Sequence, residues 1–180
     1  MKRGFEKVSR YPAEDVKLPQ RATEHSAGYD FYAPEDFVVR SIWKMNFIKV
    51  LTAIRSGQKL APDDLQVQRA QKALKPFLVP TGVKAYMGPD EYLLLADRSS
   101  APLKRGLVLP NGIGVIDSDY YNNEGNEGEI FVQLLNFSLF DQVIKKGEKI
   151  GQGIFMPYLK ADTEETPQAK RAGGFGSSGK

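Results

Sequence analysis

Ile116-Asp117-Ser118-Asp119-Tyr120 closes an apolar run and opens a polar loop at 121–127. In an extended segment Asp117 and Asp119 point to the same side, where one carboxylate sunk in an apolar wall works as a general base. Two solvated turn acids satisfy the same spacing, so D-x-D alone does not choose. Arg98-Ser99-Ser100, after the apolar run 92–96, offers a guanidinium fork and two hydroxyls at a strand end, which suits phosphate oxygens. His25, Ser26 and Asp30 are too close in sequence to face one another as a hydrolytic triad, and no oxyanion motif accompanies them.

Residues 174–180 match G-x-x-x-x-G-K. A phosphate-binding loop of that type needs a preceding strand, a following helix and a hydroxyl for its metal, and here the sequence stops at Lys180. What survives is a run of unobstructed backbone N–H groups able to wrap an anion, with Phe175 free to stack on a base. A flexible tail with no ligand fits the same composition.

The 180 residues contain no Cys and one His, which excludes thiolate nucleophiles, iron–sulfur clusters and sulfur- or histidine-rich zinc sites. A bound metal is therefore expected to be a hard, oxygen-held cation, and Mg2+ fits best. No apolar run approaches the roughly 20 residues that span a bilayer, and Met1-Lys2-Arg3 leads into Gly4-Phe5-Glu6 without an apolar signal core. A cytoplasmic protein without a membrane role is expected. Residues 40–75 carry eight basic and two acidic side chains, which leaves the remainder of a +3 chain at −3. That concentration points to a local patch and not to a general nucleic-acid surface.

The elements that must position these groups are mostly strands. From Phe77 onward, short apolar runs at 77–79, 82–86, 92–96, 107–109, 114–116, 129–136, 142–145 and 150–155 alternate with turn residues, the pattern of a sandwich or barrel. Both faces of 130–136 are rather apolar, which predicts a strand buried on both sides. Trp43, Phe47, Val50, Leu51 and Ile54 form a helical stripe that Ser56-Gly57 can end. A second helix is expected from Asp63 or Asp64 to Lys75, with acids in its first turn and Pro76 as its stop. The resulting hairpin is expected to pack its apolar stripe on the β domain; a basic, aromatic partner-binding surface is the other reading of it. Residues 160–172 are polar and aperiodic and read as a linker.

Taken in order, these segments resemble the trimeric all-β dUTPases over nearly the whole chain outside 41–75. Ser26-Ala27-Gly28-Tyr29-Asp30-Phe31-Tyr32-Ala33 is similar to the family's first motif and Asp97-Arg98-Ser99-Ser100, with Lys104 and Gly106, to its second. Residues 111–120 resemble the third, Lys146-Gly147-Glu148-Lys149-Ile150-Gly151-Gln152 the fourth, and 173–179 the fifth.

The resemblance implies an all-β, jelly-roll-like distorted barrel over 1–160, carrying the helical insert at 41–75, and a flexible active-site arm over 161–180. It implies a homotrimer whose sites draw on several subunits, with dUTP as substrate and Mg2+ as cofactor. Asp117 would be the general base for a water that attacks the α-phosphorus. Arg98, Ser99, Ser100 and Gln152 would hold phosphates; Asn111 and the backbone at Ile113 and Gly114 would read uracil; Tyr120 would pack under the deoxyribose. Phe175 would stack on the base, Ser177 and Ser178 would cover the phosphates, and Asp30 would organise a magnesium-bound water without ligating the ion.

Three departures stand out. Residues 121–127 intervene where the family runs almost directly into Gly128-Glu129, so a common basic residue is missing there. Lys170 holds the place of the family's tail Arg and Arg171 follows it; both are candidates for the γ-phosphate, with Arg171 favoured. Lys149 stands where Arg is common, which keeps charge but loses the fork. Two other functions remain open at this point: a dCTP deaminase of the same fold, and a nucleotide-sensing regulatory protein that engages a protein partner through the insert.

Overall fold

A computed structural model describes residues 2–44 and 46–163. The arm residues singled out above, Lys170, Arg171, Phe175, Ser177 and Ser178, lie outside the described residues.

Among the described residues, twelve strands build the fold. In chain order they are β1 (Gly4–Lys7), β2 (Gln20–Arg21), β3 (Tyr29–Tyr32), β4 (Phe37–Val39), β5 (Phe77–Pro80), β6 (Val83–Tyr86), β7 (Glu91–Ala96), β8 (Leu107–Val108), β9 (Ile113–Asp117), β10 (Phe131–Asn136), β11 (Gln142–Ile144) and β12 (Lys149–Pro157). Helices α1 (Asn46–Arg55), α2 (Leu65–Ala73) and α3 (Ser100–Arg105) interrupt them, with a 3-10 turn at Ser118–Tyr120. The largest sheet runs β2-β3-β12-β7-β9, beside a β5-β10-β8 sheet and the pairs β1-β6 and β11-β4. All of these strand pairs are antiparallel, so the fold is all-β and jelly-roll-like.

Alternation explains the core. Phe31, Leu93, Ile130, Val132, Leu134 and Ile144 are fully buried between the sheets, each burial worth roughly 1.5–3 kcal/mol. The turns after β5, before β9 and before β12 carry Gly82, Gly112 and Gly147 at positive φ, where glycine costs nothing. Among the described residues, no helix is long and apolar enough to cross a membrane.

Several expectations change. Strands β1 to β4 lie in a segment without a visible β rhythm, because each has only two to four residues and β1, β3 and β4 take partners from far along the chain. In β10 only one face is fully buried; Phe131, Gln133 and Leu135 are half-buried, since that face opens into two clefts.

The insert also differs. Trp43 precedes α1 and is pinned to the β domain by its indole N–H, which donates to the Phe137 carbonyl at 2.9 Å. Ser41 belongs to the β domain as well: its N–H donates to Asp141 at 2.8 Å and its hydroxyl to the Ser138 carbonyl at 2.6 Å. The insert proper therefore starts after Lys44. α2 begins at Leu65, capped by the Asp64 carboxylate accepting from the Gln66 N–H at 2.7 Å, with no acid in its first turn. α1 and α2 pack on each other, with Ala53 and Ala70 buried while Ile48, Leu51, Ile54, Leu65 and Leu74 remain exposed. Of the expected stripe, Trp43 reaches the β domain, Phe47 and Val50 are half-buried, and Leu51 and Ile54 stay exposed.

Candidate active site

β12 is the organising strand. Gln152 lies in register with Asp30 of β3 on one side and with Ala96 of β7 on the other, which draws three separate sequence segments to one strip of sheet. The Gln152 amide donates to the Asp97 carbonyl at 3.0 Å, fixing the start of the Asp97-Arg98-Ser99 corner. Gly153, the next residue, lies against the rings and methyls of the core: a Cβ there would meet Phe31 at 2.8 Å.

Asp30 is buried, and its two oxygens face Arg98 Nε at 3.4 Å and Lys149 Nζ at 2.6 Å. Spacing alone did not foretell that cluster. Lys149 reaches Asp30 as a point charge, which needs no fork. Asp97 is half-buried, and burial raises its pKa above the ordinary carboxylate value against hydrogen bonds from the Arg98 and Leu109 N–H groups. Ser99 precedes α3 with its hydroxyl unused for capping, and Ser100 opens the helix. Gly106 ends α3 in the left-handed region, with φ 64°.

A second constellation forms at the edge of the same sheet. Asn111, Gly114, Asp117 and Tyr120 line one cavity of about 170 Å3, walled by Leu95, Leu109, Phe131 and Gln133. Gly114 permits it: the Asn111 amide nitrogen stands 3.9 Å from where a Cβ would be, and Leu95 stands 3.1 Å away. Asp117 is half-buried at the end of β9, whereas Asp119 is exposed. The chain turns into a 3-10 helix at Ser118, so the two carboxylates do not share one extended face. Ile113 pairs with Ala96 and is exposed.

Tyr120 is buried, and its hydroxyl donates to the Glu129 carbonyl at 3.0 Å. The intervening loop folds over it through Asn123 and Asn126, residues that the sequence reading passed over. Their signal was present in the run Asn122-Asn123 and Asn126, since Asn side chains bond nearby backbone and tolerate positive φ.

The two constellations touch where the Leu109 N–H, on the cavity wall, donates to the Asp97 carboxylate, but Asp117 and Arg98 lie apart. Asp117 pairs with Tyr92 at one end of β7, and Arg98 follows Ala96 at the other. Those strand ends are roughly 13 Å apart at about 3.3 Å per residue.

Comparison with known proteins gives these two groups a common context. The family described as dUTPase matches residues 60–179. A deoxyuridine 5'-triphosphate nucleotidohydrolase of Lactococcus lactis is 44% identical over 178 residues, covering 98% of this chain and 97% of its own length. That alignment runs through the helical insert, which the motif resemblance had left aside. A nucleotidohydrolase of the same description from Methylocella silvestris is 36% identical over 96% of this chain and 89% of its own. The crystal structure of the Streptococcus mutans dUTPase superposes with a TM-score of 0.67 at 41% identity, covering 88% of this chain and 98% of that one. With a family match over two thirds of its length and close relatives across nearly all of it, this chain belongs to the dUTPase family.

Proposed function

We propose that this chain is a dUTP diphosphatase that hydrolyses dUTP to dUMP and pyrophosphate. The observation that carries this reading is the single cavity on which Asn111, Gly114, Asp117 and Tyr120 converge, in a chain 44% identical to a deoxyuridine 5'-triphosphate nucleotidohydrolase.

In this reading Asp117 takes a proton from a water whose oxygen bonds to the α-phosphorus, while the bond from that phosphorus to the bridging oxygen breaks and pyrophosphate leaves. Little covalent work falls to the protein beyond positioning and charge stabilisation. Arg98, Ser99, Ser100 and Gln152 hold phosphate oxygens, with Arg98 steered by Asp30 and Lys149. Asn111, with the backbone of Ile113 and Gly114, reads the uracil edge, and the Tyr120 ring lies under the sugar.

The strand-length gap between Asp117 and Arg98 supports a site shared between copies, consistent with a homotrimer: one copy supplies the cavity and another the Arg98 corner. The arm residues Phe175, Ser177, Ser178, Lys170 and Arg171 complete the site in this reading.

Among the described residues no cluster of three or more His, Asp or Glu side chains could cage a metal ion. Asp30 already faces two cations, yet a carboxylate has about four acceptor positions, so it fits a role through a water. Mg2+ carried on the triphosphate supplies charge neutralisation when bound.

A cleft of about 690 Å3 between the insert and the sheet favours a second, compatible role. Arg40, Lys44, Arg69, Lys72 and Lys75 line it beside Val38, Phe77 and Leu135, a composition that suits an acidic protein partner.

The deciding experiment measures pyrophosphate release from dUTP, UTP, dTTP and dCTP with and without magnesium, with ammonia assayed in parallel. Pyrophosphate from dUTP alone, dependent on magnesium, is expected. Ammonia from dCTP would assign a deaminase instead, and silence on every substrate would leave the regulatory role.

A further inference from the structure

The loop at 121–127 encloses Tyr120 instead of leaving it on an open turn. Asn126 Nδ2 donates to the Tyr120 hydroxyl at 2.8 Å and to the Glu129 carbonyl at 3.1 Å. Its Oδ1 accepts from Asn123 Nδ2 at 2.9 Å and from the Gly128 N–H at 3.2 Å. Asn123, itself buried, donates to the Tyr120 carbonyl at 2.8 Å and accepts from the N–H groups of Gly125 and Asn126. Tyr120 is thus held at both its backbone and its hydroxyl by the same asparagine pair.

The loop is itself anchored. Asn122 and Glu127 adopt φ of 55° and 59°, conformations that non-glycine residues keep only when their surroundings fix them. Lys84 Nζ donates to Asn122 Oδ1 at 2.6 Å, and the Ser9 N–H and hydroxyl donate to the Glu127 carboxylate. Gly128 closes the turn so tightly that a Cβ would stand 2.6 Å from the Tyr120 carbonyl oxygen.

Tyr120 belongs both to the cavity wall and to the loop's hydrogen-bond network. Its side chain lines the cavity with Asp117 and Asn111, whereas Asn126 and Glu129, which engage its hydroxyl, do not line it. A ring tethered at its far end is a stiff wall. A ring released there can tilt and admit a bulkier sugar.

We propose that Asn126 is a positioning residue that fixes the Tyr120 ring and thereby sets the preference for a 2′-deoxyribose over a ribose. The inference rests on the reading of Tyr120 as the surface beneath the sugar. It assigns to the intervening loop a part in substrate discrimination, without contact between Asn126 and substrate.

The test is the ratio of kcat/KM for dUTP to that for UTP, measured on the full chain. Asn126→Leu keeps the side-chain size and removes both donors without offering the Tyr120 hydroxyl a carboxylate to bond; Tyr120→Phe removes the hydroxyl from the other side. Each is expected to lower the ratio about tenfold, the scale of a lost net hydrogen bond, mainly through a gain on UTP. The double variant should fall short of the sum of the two single effects, since the contact between Asn126 and the Tyr120 hydroxyl is common to both. Tyr120→Ala should lower the ratio further.

A lowered ratio in Tyr120→Ala with an unchanged one in Asn126→Leu would overturn the role of Asn126 and leave Tyr120 in place. An unchanged ratio in Tyr120→Ala would overturn both. If Asn126→Leu does not fold, Asn126→Ser decides, because it withdraws the amide from the Tyr120 hydroxyl and leaves that hydroxyl its bond to the Glu129 carbonyl.

Discussion

Gly28 and Gln152, from opposite ends of the described chain, meet so closely that a Cβ on Gly28 would overlap the Gln152 side-chain oxygen. The glycine is therefore a space requirement for the Gln152 amide, which spans β12 to the Asp97 carbonyl. Gly28→Ala should push that amide aside, since a flexible side-chain end yields before backbone does. The expected outcome is a rise in KM for dUTP of about tenfold with a stability loss near 1 kcal/mol. Steady-state kinetics and thermal melting check it, and an unchanged KM would remove Gln152 from the phosphate site.

Asp117→Asn keeps the shape of the cavity wall and removes the base. Binding of dUTP should persist while kcat falls by roughly 10²–10⁴, the range for a lost general base. Binding calorimetry alongside single-turnover hydrolysis separates the two. Near-normal turnover would move the base elsewhere.

Excising 46–74 in favour of a short Gly/Ser linker should leave hydrolysis within about threefold, as for surface changes. The excision must stop short of residues 41–44, because Ser41 and Trp43 are bonded into the β domain. Kinetics and sedimentation on the shortened chain report the outcome. A loss of assembly would show that the helices support the trimer.

Glu129 is buried beside Tyr120, and burial raises its pKa above the ordinary carboxylate value, opposed by the Gly82 N–H and by Arg10. The folded chain then holds this proton more tightly than the unfolded one. Its stability contribution is fully present below the unfolded pKa and is lost as pH rises through the folded value. Glu129→Gln should gain stability relative to the parent between acid and neutral pH. Urea unfolding across that range, at fixed protein concentration, tests the sign. A difference that shrinks as pH rises would mean that the Arg10 pairing outweighs burial.

Much of the strand pattern after Phe77, and the residue types of the site, are legible in the order of amino acids alone. Alternating apolar residues define faces locally, and Gly82, Gly112 and Gly147 sit in turns at positive φ. The order of the motifs sufficed to indicate the family, because each carries its chemistry in a few adjacent residues.

Which segments meet follows from the folded chain. That Lys149 reaches Asp30, that Gln152 needs Gly28 to be bare, and that Asn126 holds the Tyr120 hydroxyl all depend on strand register or loop closure. The same holds for the insert, where the stripe through Phe47 and Ile54 gave a helix but not its partner: α1 packs on α2, and Ile54 stays exposed. Periodicity states which side of an element is apolar, whereas what covers that side is settled by competition among distant surfaces for burial.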